Sequence, residues 1–288
     1  MTRREYYRRQ RRLKAHLKRA AVILALVLAV VLMICGCLYI GERLFKKDDK
    51  IEASKDPGNE NQEQNQVAND PVADPVADSV ADPVVDTETQ IKDTYHYEYV
   101  KPDASGLSIV LDAGHGGNDP GTVINDTILE KDINLAVTQK VAALLKEAGA
   151  AVTMIRETDE YVDLSDRNAR GNQITADLFL SLHCNSYEDD SSINGLEMYY
   201  HRNSETSKQY AEAMTQHMKN TNIIPVRDAS RQNMQVLRNS SMPAVMIEMG
   251  FLSNPAECEN LNTPLYQDFL ARMITTSIVE TLKASATE

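Results

Sequence analysis

Ser108-Ile109-Val110-Leu111-Asp112-Ala113-Gly114-His115-Gly116-Gly117 is a short apolar run that breaks into a glycine-rich loop. An apolar run bounded by turn residues reads as a buried strand. Downstream, over 130–148, Ile133, Val137, Val141, Leu144, Leu145 and Ala148 recur at helical spacing, and Gly149 supplies the stop. The same reading predicts a strand at 151–155, a helix at 165–175, strands at 178–182 and 196–200, and a helix at 204–220. An apolar strand at 244–247 and a closing helix at 266–282 follow. Strand and helix in alternation predict an α/β fold: a single domain with a mostly parallel twisted sheet, covered by helices on both faces. This domain is expected over 107–284, and roughly 180 residues suit one folded unit.

The remainder of the 288-residue chain divides by charge. Residues 1–19 carry seven Arg and two Lys against one Glu. Residues 20–41 are 22 positions without a charge. As a helix they would span about 33 Å, enough for a hydrocarbon core of about 30 Å. They are longer than a signal-peptide core and are not closed by an A-x-A site, so an uncleaved anchor is expected. Lipid attachment at Cys37, in Ile34-Cys35-Gly36-Cys37, is the rival tether. The basic flank is expected to stay cytoplasmic, with the downstream chain outside the cell membrane. Residues 42–106 read as a linker: Asp70 to Asp86 repeats Asp-Pro-Val-Ala with small variations, and 48–100 hold 14 acidic against 3 basic side chains. Such a segment buries too little apolar surface to offset its ordering entropy. Tyr95, Tyr97 and Tyr99 alternate as an edge strand would. From Leu107 onward there are 25 acidic and 14 basic residues, a balance that argues against nucleic acid as a partner.

Three polar residues fall just past predicted strand ends: His115, His183 in Ser181-Leu182-His183-Cys184-Asn185, and Glu248 in Ile247-Glu248-Met249-Gly250. Ligands of open α/β sheets bind at the carboxyl ends of the strands, where these groups would converge. Glu130, at a helix start, can aim its carboxylate at the same edge. Two His and one carboxylate leave a tetrahedral position open, which suits a catalytic zinc. A further carboxylate would then move protons. Each residue also has a plainer reading: a His bonded within its turn, a Glu favouring a helix dipole, a Glu in an ion pair. The glycine-rich turn lacks the Lys-Ser/Thr of a phosphate loop, and no G-x-S-x-G elbow occurs.

Four strings together go further. Leu111 to Gly117, Glu130-Lys131-Asp132-Ile133-Asn134-Leu135, Ser181 to Asn185, and Pro243 to Asn254 closely resemble the zinc-dependent N-acetylmuramoyl-L-alanine amidases, in that family's order. The resemblance implies that His115, Glu130 and His183 bind one zinc ion and that Glu248 is the catalytic base. It implies peptidoglycan as substrate, cut between N-acetylmuramic acid and L-alanine. Asn185 and Arg238 are candidate substrate contacts, whereas Arg156 and Arg167 read as ion-pair partners of nearby acids. Cys184 stands where a small residue is expected and reads as packed, with a pairing to Cys258 conceivable. The short connection 184–195 leaves no room for an inserted occluding helix. Two competing readings are a catalytically silent wall-binding or recruiting module, and a zinc peptidase acting on the stem peptide.

Overall fold

The computed structural model describes residues 86–286. The expected basic tail (1–19), membrane span (20–41) and linker residues 42–85 lie outside the described residues. Among the described residues no helix is long and apolar enough to cross a membrane. The chain runs α1 (Thr87–Tyr95), β1 (Ser108–Ala113), β2 (Val123–Ile124), β3 (Ile128–Leu129), α2 (Glu130–Glu147) and β4 (Ala151–Met154). It continues as α3 (Leu164–Asn172), β5 (Leu178–Asn185), β6 (Glu197–Tyr200), α4 (Glu205–Thr221), β7 (Ser230–Arg231), α5 (Gln235–Arg238), β8 (Ala244–Phe251), α6 (Pro255–Leu261) and α7 (Pro264–Ser285).

Six strands form one sheet in the order β4-β1-β5-β8-β6-β7. All neighbours are parallel except β6, which runs antiparallel to β8. The central strands β1, β5 and β8 are buried nearly throughout, as parallel strands covered on both faces must be. Alternate side chains go to opposite faces. Ile109, Leu111, Leu178, Leu180, Leu182, Val245 and Ile247 enter the larger core, with the apolar faces of α2, α4 and α7. Val110, Phe179, Ala244 and Met246 enter a smaller core with Val236 and Leu237 of α5. On that face α3 comes close through Gly171, where a Cβ would lie 2.9 Å from the Phe179 ring.

The structure differs from the sequence reading in three places. The tyrosines at 95, 97 and 99 do not form an edge strand, and the chain ahead of Leu107 is not all linker. Asp86 caps α1, accepting from the Thr89 N–H at 3.0 Å. Ile91 is 1% exposed within the larger core. Tyr95 stacks on Phe269 of α7 at 4.6 Å, Tyr97 meets the same ring edge-on, and Arg272 lies over Tyr99 at 4.7 Å. The apolar surface that orders this segment belongs to α7, nearly 180 residues away, so local composition does not register it. Second, β5 and β8 do not stop at Leu182 and Ile247; both continue through the polar residues that follow. Third, Asn125 and Asp126, both at positive φ, turn β2 into β3 with the Thr127 N–H bonded to the Ile124 carbonyl. That is the two-residue geometry suited to hairpins, and it was not anticipated. As expected, 186–196 holds no inserted helix.

If α1 is part of the folded unit, Ile91→Ala should destabilise it by about 2–5 kcal/mol. Urea denaturation followed by circular dichroism measures this, and an unchanged midpoint would return the segment to the linker.

Candidate metal centre

β1 delivers its last residues to the sheet edge beside β5, and the Gly114 N–H bonds the Leu182 carbonyl at 3.0 Å. The chain there passes against the His183 ring: a Cβ on Gly114 would lie 2.2 Å from His183 Cε1, so only glycine fits. His115 then takes the left-handed region at φ 60°, which is uncommon for a residue with a side chain. Two guanidinium groups hold this backbone in place. Arg156, 1% exposed, donates to the carbonyls of Ala113 (2.8 Å), Gly114 (2.9 Å), Lys131 (2.9 Å) and Thr158 (3.0 Å). Arg167 donates to the carbonyls of Ala113 (2.7 Å), His115 (2.6 Å) and Val162 (3.0 Å), and to the Asp112 carboxylate (2.6 Å). The ion-pair expectation therefore holds for Arg167. All four hydrogen bonds of Arg156 go instead to backbone carbonyls, because the loop it braces offers a fork of oxygens matched to a planar guanidinium.

Glu130 opens α2 and is 3% exposed. Its Oε1 lies 3.1 Å from His115 Nε2 and 3.1 Å from His183 Nδ1, and accepts from the Cys184 N–H at 3.2 Å. Its Oε2 accepts from the Thr122 N–H at 2.8 Å. One ligand atom from each of His115, Glu130 and His183 falls within a common span of 4.8 Å. Ligands about 2.0–2.1 Å from a tetrahedral ion sit roughly 3.3–3.4 Å apart, close to the 3.1 Å from Glu130 Oε1 to each imidazole nitrogen. The donor set fits too: two imidazoles and one carboxylate, the combination left open for catalysis. Asp119, not singled out from the sequence, accepts from His115 Nδ1 at 2.8 Å and orients its ring, as carboxylates behind metal-binding imidazoles do. The signal was present as an Asp four residues after the His in a turn-rich stretch.

Electrostatics follow from these contacts. Burial disfavours a charged His115, but the hydrogen bonds and charges of Glu130 and Asp119 outweigh it and raise the pKa to about 9. Burial would raise the Glu130 carboxyl, yet the two imidazoles hold it well below the usual carboxylate range.

Glu248 sits on β8 directly across from His183 on β5 and Glu197 on β6. It is 7% exposed, and among the described residues its Oε2 is buried without a hydrogen-bond partner. Burial pushes its pKa up to about 7; the charge of His183 opposes that shift, while Glu130 and Glu197 add to it. Glu197 was also missed in the sequence. It accepts from Arg227 Nε (2.6 Å), the Tyr199 hydroxyl (2.6 Å) and Asn185 Nδ2 (3.2 Å). Asn185 is thus engaged beside Glu248, bonding Glu197 and Tyr199 with one end and the Ser186 N–H with the other. Cys184 points to the larger core, opposite to His183, and both it and Cys258 are free thiols. Arg238 is not brought to this centre. It ends α5, shortly before β8 begins, and donates to Asn233 at 3.1 Å near the opposite edge of the sheet.

Comparison with known proteins places this geometry in context. A family model described as N-acetylmuramoyl-L-alanine amidase matches residues 109–280. A protein of Staphylococcus epidermidis called probable cell wall amidase LytH is 35% identical over 171 residues, 59% of this chain and 56% of that protein. The chain thus spans little more than half the length of this relative. Among solved structures, an N-acetylmuramoyl-L-alanine amidase from Clostridium difficile 630 superposes with a TM-score of 0.60 at 32% identity, covering 62% of this chain and 97% of that one. The catalytic domain of CwlV, from Bacillus (Paenibacillus) polymyxa, gives 0.58 at 35% identity, covering 62% and 98%.

Two outcomes are expected. With its pKa raised, the pairing of protonated His115 stabilises the metal-free fold fully below the unfolded value near 6.5, and that contribution disappears as pH rises through about 9. A divalent ion requires the same nitrogen deprotonated, so affinity should climb by up to about tenfold per pH unit across that window. Competition with a chromophoric chelator reads it directly, and a flat profile would contradict the pairing. Gly114→Ala should displace the His183 ring and lower zinc affinity by about tenfold or more, measured by the same competition, with the melting temperature as the check on folding.

Proposed function

This chain belongs to the N-acetylmuramoyl-L-alanine amidase family, and from that membership we propose that it hydrolyses the amide bond between N-acetylmuramic acid and L-alanine in peptidoglycan, using one zinc ion held by His115, Glu130 and His183. The observation that carries the reading is Glu248: a buried carboxyl, unpaired at Oε2, across one strand from His183, with a pKa of about 7. A group of that acidity can both take and return a proton at neutral pH. When bound, zinc supplies the positive charge that polarises the scissile carbonyl and makes water a usable nucleophile near pH 7.

The chain's own residues account for the rest of the chemistry. Glu248, as carboxylate, accepts a proton from the attacking water. As carboxylic acid it then gives that proton to the departing alanine nitrogen while the C–N bond breaks. The products are a lactyl carboxylate and a free amino terminus. Asp119 keeps the His115 ring turned toward Glu130, and the Arg156 and Arg167 forks keep its loop from relaxing. Glu197, tied down by Arg227, Tyr199 and Asn185, fixes the wall next to Glu248 and contributes negative charge that favours its protonated form. No observation favours a catalytically silent module.

We also propose that residues 20–41 anchor the chain in the cell membrane, with 1–19 cytoplasmic and the domain held toward the wall by the acidic linker. Supporting this are the uncharged run and the basic flank that precedes it.

Glu248→Gln in the full-length chain should bind zinc as tightly as the parent and lose at least about 100-fold in turnover of purified peptidoglycan. The new amino termini should be L-alanine, and a chelator should abolish their release. Near-parental turnover would remove Glu248 from the mechanism, and any other terminal residue would turn the assignment toward a stem-peptide peptidase.

A further inference from the structure

The edge of the sheet opposite the metal centre carries a second polar concavity. β6 runs antiparallel to β8, so its last residue, Tyr200, pairs with Val245 near the start of β8, while Glu248 lies toward the other end. The chain leaving β6 there lines a cavity of about 340 Å³ with His201, Arg202 and Ser204, closed from the other side by Asn233 and Arg238. We propose that this cavity is a binding site for a small phosphate ester, separate from the amidase chemistry.

Four observations meet at this place. His201 is 7% exposed and faces the cavity, yet its ring has no hydrogen bond or ion pair among the described residues. The ring nitrogens are not sealed within protein; they open onto the cavity, where a ligand or water can bond them. Two guanidinium groups flank it. Arg202 has no ion-pair partner among the described residues, and Arg238 spends one N–H on Asn233 at 3.1 Å. Among the described residues no carboxylate lines the cavity, although the protein carries a net charge of −12. Lastly, the 17-residue helix α4 begins at its wall, capped by Ser204, whose hydroxyl accepts from the Ser207 N–H at 3.2 Å. The acid of that first turn, Glu205, is paired with Lys208 at 3.3 Å.

The chemistry of these groups selects the ligand class. Guanidinium forks bind tetrahedral oxyanions through paired N–H donors, and a helix start adds favourable backbone dipoles. A volume of about 340 Å³ is several times what a lone phosphate fills, so the anion is expected to arrive on a small organic body. A soluble sugar or glycerol phosphate and the phosphodiester headgroup of an anionic lipid share this chemistry.

The test is calorimetric titration of the full-length chain in a phosphate-free non-ionic detergent with sodium phosphate, glycerol 3-phosphate and monomeric dihexanoyl-phosphatidylglycerol, with acetate at matched ionic strength as control. Saturable one-site binding of phosphate and glycerol 3-phosphate is expected, weakened at least tenfold by Arg202→Ala and by Arg238→Ala. Both arginines are exposed, so the fold should survive, as thermal melting will verify. The His201 ring resonances should move on saturation in the parent chain, a readout that needs no variant. Tighter binding of the lipid than of glycerol 3-phosphate identifies a headgroup as the source, and the reverse identifies a soluble ester; either supports the site. Absence of saturable binding, equal binding of acetate, or indifference to both substitutions overturns it, whatever the amidase activity proves to be.

Discussion

The centre of this protein is organised by one buried oxygen. Oε1 of Glu130 lies at hydrogen-bonding distance from two imidazole nitrogens that arrive from different strands, and from a backbone N–H of β5. An ionised carboxylate at this depth is costly without compensation, and the compensation comes from groups more than fifty positions apart in the chain. The same grouping that stabilises the charge in the metal-free chain presents three ligands of the kind zinc selects. Structural satisfaction and metal chemistry are therefore two uses of a single arrangement.

That arrangement requires a backbone held against its preferences. His115 occupies the left-handed region, unfavourable for a residue with a side chain, and Gly114 leaves the space that the His183 ring fills. Arg156 and Arg167 brace this backbone through eight hydrogen bonds, seven of them to carbonyl oxygens. Guanidinium is suited to the task because its charge persists at every accessible pH and its donors lie in one plane. The loop is consequently a rigid continuation of the sheet, which is what a metal site needs from its supports.

The row His183, Glu248 and Glu197 shows how sheet register produces reactivity. Three strands contribute one polar residue each at the same level, so two carboxylates are neighbours across a ladder. Like charges so placed cannot both ionise freely. Glu197 is claimed by Arg227, Tyr199 and Asn185, while Glu248 is left with a buried unpaired oxygen. The division of roles between two identical side chains comes from their partners alone.

Much of this was legible in the sequence. Apolar runs and helical spacing located nine of the main elements; His115, His183 and Glu248 could be marked by their places just past predicted strands, and Glu130 by its place at a helix start. The parity of β5 even placed Cys184 on the side away from His183. These features are local: periodicity records which face of a segment is buried, and a motif records short-range order. Tertiary structure alone decided that 87–95 is a helix docked on α7, that Asp119 backs His115, that Glu197 faces Glu248, and that Arg238 lies at the other end of the sheet. Each depends on which strands are neighbours, in which direction and register, and one step of register or a reversal of β6 would exchange every partner. That information resides in contacts between distant segments, where no local pattern can record it.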